Sequence, residues 1–424
     1  MTLRFQALRG TKDVLPDEVA LWHRLENVTR KAFHRYGFRE IRTPLFEATE
    51  LFTRSVGGST DIVRKEMYTF SAGDESVTLR PENTAPVVRA FVEHSMHRRL
   101  ADGFPERLYY IGPMFRYERP QKGRQRQFHQ FGVEVLGGAE AQIDAETIEM
   151  VWSLLGDLHV SPRTLRVNSV GDGDSQQQYR RALTRWLEPR LPGMCEDCRR
   201  RAVDNPLRVF DCKVVLDRGI LEQAPKALDF LSVEAGKHFA EVCSALQEYR
   251  VDYQVDPRLV RGLDYYQRTV FEITAGGLGA QDAVVGGGRY DGLVEQLGGP
   301  PVPGFGFAAG MERVILVMRE EPKTPDTDVA IIALGDAGFS KSSLLACELR
   351  HQGLSVSVPT ASRSMGAQLK RLERAGPRFA LFVGEGEIAR GRFGLKNLAT
   401  GEQVEVDEAG IVAAVREGRK PDGL

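Results

Sequence analysis

Gly112-Pro-Met-Phe-Arg-Tyr-Glu-Arg-Pro-Gln-Lys-Gly-Arg-Gln-Arg-Gln-Phe-His-Gln-Phe-Gly-Val-Glu134 is an arginine-rich turn set between two strand signals. Arg107-Leu-Tyr-Tyr-Ile111 leads into it, and Gln127 to Val135 leads out. Pro120 and Gly123 punctuate the middle, so the two strands pair as a hairpin whose loop carries the cations. Arg116, Arg119, Lys122, Arg124 and Arg126 crowd this segment, with Glu118 the single acid among them. Arginine forks bind phosphate oxygens in pairs, which points to a nucleotide or nucleic-acid backbone. A generic run of this kind is more often a solvated basic loop. Arg116 departs from that reading, because it precedes the loop and shares a strand face with Met114 and Glu118. A cation held on a sheet face needs an anionic partner.

Outward from the hairpin, Pro16–Tyr36 carries helical apolar spacing with Gly37 at its end, and Phe38–Pro44 alternates as a strand. Strand signals recur at 67–70 and 77–80, with a helix predicted over 84–99. From about 171 to 256 the sequence turns charged and helical, as an insertion in a sheet-based domain, before strands resume at 265–274 and 283–285. Residues 320–327 form a polar, proline-bearing linker, and strands then alternate with helices as in a small α/β domain. The predicted division is 1–322, a linker at 323–327, and 328–424. The chain has 424 residues, 57 Lys+Arg against 58 Asp+Glu, and a formal charge of −1. That excludes a globally basic coat but not a local basic patch. No secretory leader is expected, the apolar runs are too short to span a bilayer, and five cysteines argue against a disulfide framework. The expectation is a cytoplasmic protein with no membrane contact.

Four further constellations bear on chemistry. Leu79-Arg-Pro-Glu-Asn-Thr84 runs from strand to helix, so Glu82 and Thr84 either orient an ammonium group or, with Asn83, cap the helix. Leu259–Glu272 holds Arg261, Gly262 and the pair Tyr265-Tyr266, predicted to place one phenol on each sheet face. Of the 43 glycines, twelve fall between Gly276 and Gly310, without a Rossmann or P-loop pattern. Glycines in strands let a flat ligand approach backbone. The run closes on Gly310-Met-Glu-Arg313, where Arg313 begins a helix and could turn back toward phosphate. Finally, Cys195-Glu-Asp-Cys198 with Cys212 behind it reads by default as reduced, inert thiols with no metal; the less favoured reading is a structural zinc site, with Cys243 or His238 as the fourth ligand.

Together these segments resemble the bacterial-type histidyl-tRNA synthetases, class II aminoacyl-tRNA synthetases. Class II motif 1 is similar to Pro16–Pro44, motif 2 to Phe115–Glu134, and motif 3 to Gly304–Arg313. The histidine-specific signatures resemble Arg261-Gly-Leu-Asp-Tyr-Tyr266 and Gly286-Gly-Gly-Arg-Tyr-Asp-Gly292. Asn83 departs from the glycine common at its place in bacterial relatives. The resemblance implies an α+β catalytic domain on an antiparallel sheet, a helical insertion and a C-terminal α/β anticodon-binding domain. It implies a ligase that uses ATP with Mg²⁺, L-histidine and tRNA(His), with no tightly bound organic cofactor, and that works as a homodimer. Arg116, Arg261 and Arg313 would be catalytic. With Arg124 they would bind ATP. Histidine would meet Glu82, Asn83, Thr84, Arg116, Gln130, Glu134, Arg261, Tyr265, Tyr266 and Tyr290, with Glu134 and Tyr266 on the imidazole nitrogens. Arg119 and Gln121 would receive the tRNA acceptor end. Residues 363–378, with five basic groups and one acid, give the C-terminal domain a modest basic footprint. A synthetase-like regulatory subunit of ATP phosphoribosyltransferase, which binds histidine without charging tRNA, is the alternative. A class II synthetase for another small amino acid is a second.

Overall fold

In a computed structural model, residues 5–58, 60–278, 282–318, 327–359 and 365–418 are described. The chain divides into a larger compact unit built on Leu21–Glu320 and a smaller one built on Glu321–Leu424. Most of the predicted linker lies outside the described residues.

The strands of the larger unit are, in chain order, β1 (Arg39–Glu40), β2 (Phe46–Ala48), β3 (Tyr68–Ala72), β4 (Glu75–Leu79), β5 (Glu106–Phe115), β6 (Gln127–Leu136), β7 (Arg163–Ser169), β8 (Tyr253–Val255), β9 (Gln267–Ala275), β10 (Ala283–Arg289) and β11 (Gly304–Gly310). Eight of them form one sheet in the order β1-β5-β6-β11-β10-β9-β7-β8. Its middle is antiparallel from β5 through β7, and only the short edges β1 and β8 join in parallel. β2, β4 and β3 make a small separate antiparallel sheet.

Alternation along β6 and β11 decides which side holds chemistry. Phe131, Val133 and Val135, with Phe305, Phe307 and Ala309, point into the main core. There they meet the helices Pro16–Arg35, Ala141–Asp157, Val233–Glu248 and Met311–Val317 through residues such as Phe33, Ile148, Leu155, Leu246 and Val314. Phe33 is fully buried against Phe38, Tyr109, Phe131 and Phe307. Burying such a ring contributes about 2–3 kcal/mol. The intervening residues Gln130, Gly132 and Glu134, and Gly304, Gly306 and Ala308, therefore face the other way. Gly306 pairs with Glu134 in the ladder.

Several predicted elements shift. Phe38–Pro44 is ordered as strand only at Arg39–Glu40. The helix expected over 84–99 ends at Glu93, where Ser95 turns left-handed (φ 50°) and Met96–Asp102 tightens to a 3₁₀ helix. The insertion narrows from 171–256. An apolar core of its own joins Tyr179, Leu183, Cys198, Val209, Leu221 and Ala227. Helix Val233–Glu248 instead lays Val242 and Leu246 in the main core, and Tyr253–Val255 becomes the edge strand β8. Charged helical composition does not reveal which body a helix's apolar stripe will face.

Arg289, quoted above within a glycine-rich signature, is structural. It is fully buried, ion-paired with the equally buried Asp144 and with Asp291 at 3.0 Å, and donates to the Gly138 carbonyl at 2.9 Å. Removing one partner strands the other charge in the core. Arg289→Met is expected to lower unfolding free energy by about 3–5 kcal/mol, read from urea denaturation. A change under about 1 kcal/mol would contradict the assignment.

In the smaller unit, β12 (Val329–Ala333), β13 (Val356–Ser357), β14 (Phe379–Val383), β15 (Arg392–Asn397) and β16 (Gln403–Asp407) order as β13-β12-β14-β15-β16. The first three are parallel and the last two antiparallel to their neighbours. Helices Gly335–His351 and Ile411–Glu417 bury Leu345, Leu349, Ile411 and Val415 against Val329, Ile331 and Leu381. Part of the basic stretch 363–378 falls outside the described residues. Among the described residues, no helix is long and apolar enough to cross a membrane.

Candidate active site

A cleft of about 270 Å³ opens over the second face of the large sheet. Glu82, Thr84, Gln130, Tyr265 and Tyr266 line one part of it, and Arg116, Arg124, Arg261 and Arg313 another.

The cations come from four places in the chain. Arg116 sits one residue beyond the last ladder residue of β5, where its amide still pairs with the Arg126 carbonyl at 2.8 Å. Its Nε donates to the Pro81 carbonyl at 2.8 Å, and its guanidinium lies 5.3 Å from the Phe128 ring centre. Arg124, from the hairpin loop, pairs with Glu118 at 2.7 Å. Arg313, in the first turn of helix Met311–Val317, reaches back and donates to the Gly123 and Ala283 carbonyls at 3.0 and 2.7 Å. Burial, and then the neighbouring Arg124, pull its pKa down. Positive charges gathered in a partly desolvated cleft repel one another until an anion enters.

Arg261 lies across Gly286 of β10. A Cβ there would overlap its guanidinium. Its Nη1 pairs with Glu272 at 2.6 Å, while its Nε is buried without a partner. The Oε1 of Gln130 is likewise buried and unpartnered. Polar atoms in that condition call for a ligand or water.

Glu134 and Tyr290 are buried behind the cleft wall and outside its lining, Glu134 fully so. Thr84 donates to one carboxylate oxygen at 2.7 Å, and the Tyr290 hydroxyl bonds the other. A Cβ on Gly306 would overlap this carboxylate, and one on Gly304 would overlap the Tyr290 ring. Desolvation pushes the Glu134 pKa up to about 8 despite those two hydrogen bonds. The glycine concentration thus has a different use from the one expected. The space at Gly286, Gly304 and Gly306 is filled by Arg261, Tyr290 and Glu134 rather than left for a flat ligand.

Of the two readings of Glu82, the structure shows the cap. Its carboxylate accepts from the Thr84 and Ala85 amides at 2.7 and 3.0 Å, capping helix Thr84–Glu93, and it also lines the cleft. Asn83 does not share that position. Its Oδ1 accepts from Thr43 and Arg80 at 2.7 and 3.0 Å, away from the cleft, because the capping turn points alternate side chains apart. Tyr265 and Tyr266 precede β9 instead of lying in it, so they are not split between faces. Their ring centres are 4.7 Å apart in one cluster, with Tyr290 5.7 Å from Tyr265. Arg119 and Gln121 are exposed on the hairpin loop, outside the cleft lining.

Missed in the sequence were Glu118, Glu272 and Glu312, the acids that line the cleft among its arginines, and Tyr110. Glu272 and Glu312 stood in quoted motifs, and an acid inside an apolar strand was the available signal for Glu272. Glu312 accepts from the His129 amide at 2.9 Å and pairs with its ring. The Tyr110 hydroxyl is buried and unpartnered beside Glu134. Gly132, opposite it in the ladder, was the mark of a close approach.

Residues 10–314 match the family model described as histidyl-tRNA synthetase, and residues 328–418 that described as anticodon binding domain. The chain belongs to the histidyl-tRNA synthetase family. The histidine–tRNA ligase of Desulfitobacterium hafniense is 47% identical over 99% of this chain and 100% of its own. That of Thermosipho melanesiensis is 45% identical over 97% and 99%. Among solved structures, apo histidyl-tRNA synthetase of S. aureus superposes with a TM-score of 0.80 at 35% identity, covering 97% of this chain and all of the other. A Bacillus halodurans protein described as an ATP phosphoribosyltransferase regulatory subunit/histidyl-tRNA synthetase shares the fold at 20% identity and a TM-score of 0.66, over 91% and 99% of the two chains. As a member of this histidyl-tRNA synthetase family, the chain has the class II architecture: the antiparallel core, the helical insertion and the C-terminal domain.

Proposed function

We propose that this chain activates L-histidine with ATP and transfers the histidyl group to the 3′ end of tRNA(His). The observation that carries the reading is the convergence of Arg116, Arg261 and Arg313 on a cleft whose lining residue Thr84 is backed by the buried Glu134. The histidine carboxylate attacks the α-phosphate in line. A carboxylate oxygen–phosphorus bond forms, the bond to the bridging oxygen breaks, and pyrophosphate leaves. The attacking group is already ionised, so the residues position reactants and stabilise phosphoryl charge without moving a proton. Arg116 bridges carboxylate and α-phosphate, Arg261 holds the α-phosphate from the opposite side, and Arg313 holds the γ-phosphate. A terminal ribose hydroxyl of the tRNA then attacks the adenylate carbonyl; the ester bond forms, the anhydride bond to phosphate breaks, and AMP leaves as the hydroxyl proton passes to its departing phosphate oxygen. Glu82, Thr84 and Gln130 hold the α-amino group, while Glu134 and Tyr266 pair the imidazole nitrogens. A pocket that pairs both nitrogens keeps unsatisfied groups with any apolar amino acid.

The carboxylates lining the ATP end are Glu118, Glu272 and Glu312, two of them already paired to arginine. They suit Mg²⁺ that is carried mainly by ATP phosphates and water and touches one carboxylate or two. The ion would supply neutralisation of phosphate charge.

ATP–pyrophosphate exchange assayed across the amino acids tests the reading. Exchange with histidine alone is expected, and exchange with none or with a different amino acid overturns it. The latter two outcomes are those of the regulatory-subunit and other-synthetase readings. The smaller unit, from about Asp328, reads the anticodon, and the exposed Arg119 and Gln121 meet the acceptor end. Ending the chain after residue 322 is expected to reduce tRNA charging by at least tenfold more than adenylate formation, and equal losses refute that division. We further propose a cytoplasmic protein that is a homodimer joined through the region of residues 16–44, so light scattering should give twice the 47.3 kDa chain mass.

A further inference from the structure

Three cysteines of the helical insertion are unused by the chemistry above. Cys195 caps the helix Glu196–Asp204, Cys198 lies in its first turn, and Cys212 follows the 3₁₀ helix Pro206–Asp211. Folding brings a fourth group to them that sequence spacing did not indicate. It is Asp217, in the helix Val215–Leu221. The four ligand atoms all lie within 4.8 Å of one another. His238 and Cys243, the fourth ligands considered above, sit elsewhere: His238 lies 3.6 Å from Asp144 under the sheet, and Cys243 accepts from Tyr253 through its carbonyl.

We propose that Cys195, Cys198, Cys212 and Asp217 bind one zinc ion that ties the insertion together. The chemistry of the set favours this. Cys198, Cys212 and Asp217 are buried, and Asp217 has no Lys or Arg paired to it among the described residues. Its neighbours are the Cys195 amide, at 3.1 Å, and the Cys212 sulfur, at 3.3 Å. A buried carboxylate facing thiols lacks a cation. Three sulfurs and one oxygen at four corners are a donor set zinc accepts. The geometry agrees, since a tetrahedron with Zn–S of about 2.3 Å has S···S edges of about 3.8 Å. Cys195 and Cys212 are 3.8 Å apart, far beyond a disulfide bond. The Cys198 amide also points at the Cys195 sulfur, at 3.4 Å, as a backbone donor stabilising a thiolate would.

The site's position gives it a consequence. Between Cys198 and Cys212 lie Asn205, which donates to Asp264 at 2.9 Å, and Arg208, which donates to the Arg261 carbonyl at 3.4 Å. Zinc would fix both ends of the segment that holds the Arg261–Tyr266 loop. That leverage rests on the function proposed above, whereas the metal site itself does not.

The test starts with the full chain, reconstituted with zinc, dialysed and analysed for metal. About one zinc per chain is expected, together with protection of three of the five cysteines from alkylation until a chelator is added. Cobalt in place of zinc should give the visible and near-ultraviolet bands of a tetrahedral thiolate site, and these need no enzymatic activity. Asp217→Cys should retain the metal, and Asp217→Ala should weaken it at least tenfold. Less than half a zinc per chain after reconstitution, with the three cysteines alkylated equally fast with and without zinc, overturns the proposal, as does a Cys195–Cys212 disulfide found by mass. If Asp217→Ala fails to fold, the cobalt spectrum of the unaltered chain decides. Metal bound normally to a chain inactive with histidine would sink the proposed function and leave the zinc site standing.

Discussion

Arg261→Ala is expected to lower histidine-dependent ATP–pyrophosphate exchange by about 10³-fold or more, with histidine binding still measurable by calorimetry. The size follows from what the guanidinium does. An arginine that meets charge developing on a transferring phosphoryl group contributes on this scale, about 4 kcal/mol of barrier. Its Nε is unpartnered and its Nη1 is held by Glu272, so the side chain is fixed before ATP arrives. The variant also leaves Glu272 without its partner. A second variant separates these effects. Gly286→Ala keeps both Arg261 and Glu272 but places a methyl where the guanidinium lies. It should cost exchange nearly as much, because displacement by about 1 Å forfeits alignment. Unchanged exchange in both variants would remove Arg261 from the mechanism. Loss in Arg261→Ala alone would show that the position over Gly286 is incidental.

Glu134→Gln should reduce kcat/KM for histidine by about 10²–10³-fold and relax discrimination against glutamine and asparagine. Its pH profile is more diagnostic than its size. Burial holds the Glu134 pKa at about 8, and a free imidazole titrates near 6.5. Between those values both partners are neutral before they meet, and the pair they form keeps the same number of protons. Below about 6.5 the imidazolium must release a proton to bind, and above about 8 the carboxylate must take one up. Histidine affinity is therefore expected to be flat between the two and to fall about tenfold per pH unit outside them. A side-chain amide does not titrate, so Glu134→Gln should lose the alkaline fall and keep the acid one. An alkaline limb of equal slope in both proteins would dissociate Glu134 from the imidazole.

The arrangement of strands was largely legible because period-two alternation and turn residues are local signals. Arg116 and the hairpin that carries it follow from residues 107–135 alone, whereas Glu134 is singled out only through the family resemblance. The helical insertion was legible as a change of composition, but its far boundary was not. Whether Val242 and Leu246 face the insertion or the sheet is settled by packing that no local pattern encodes. The site failed to show itself where its partners are distant in the chain. Glu272 becomes a site residue only because Arg261 folds onto it, and Asp217 joins three cysteines only through the turn after Cys212. Asn83 was misplaced for the opposite reason. It sits between two residues that do line the cleft, and adjacency in a capping turn sends its side chain to Arg80.

The β5–β6 hairpin carries Arg116, the exposed loop, Gln130 and Glu134 on one continuous ribbon. Position along that ribbon is a matter of odd and even. Loss of one residue between Gln130 and Glu134 would exchange the two faces beyond the cut, sending the Glu134 carboxylate toward Phe33 and a valine toward the cleft. Loss of two would restore the faces and shift only the depth. The loop tip around Lys122 has no such parity. Length variation among descendants of this gene should accordingly be confined to even steps in the strands, whereas at the tip it is limited only by the contacts of Gly123 and Arg124, a rule readable from genomes without any assay.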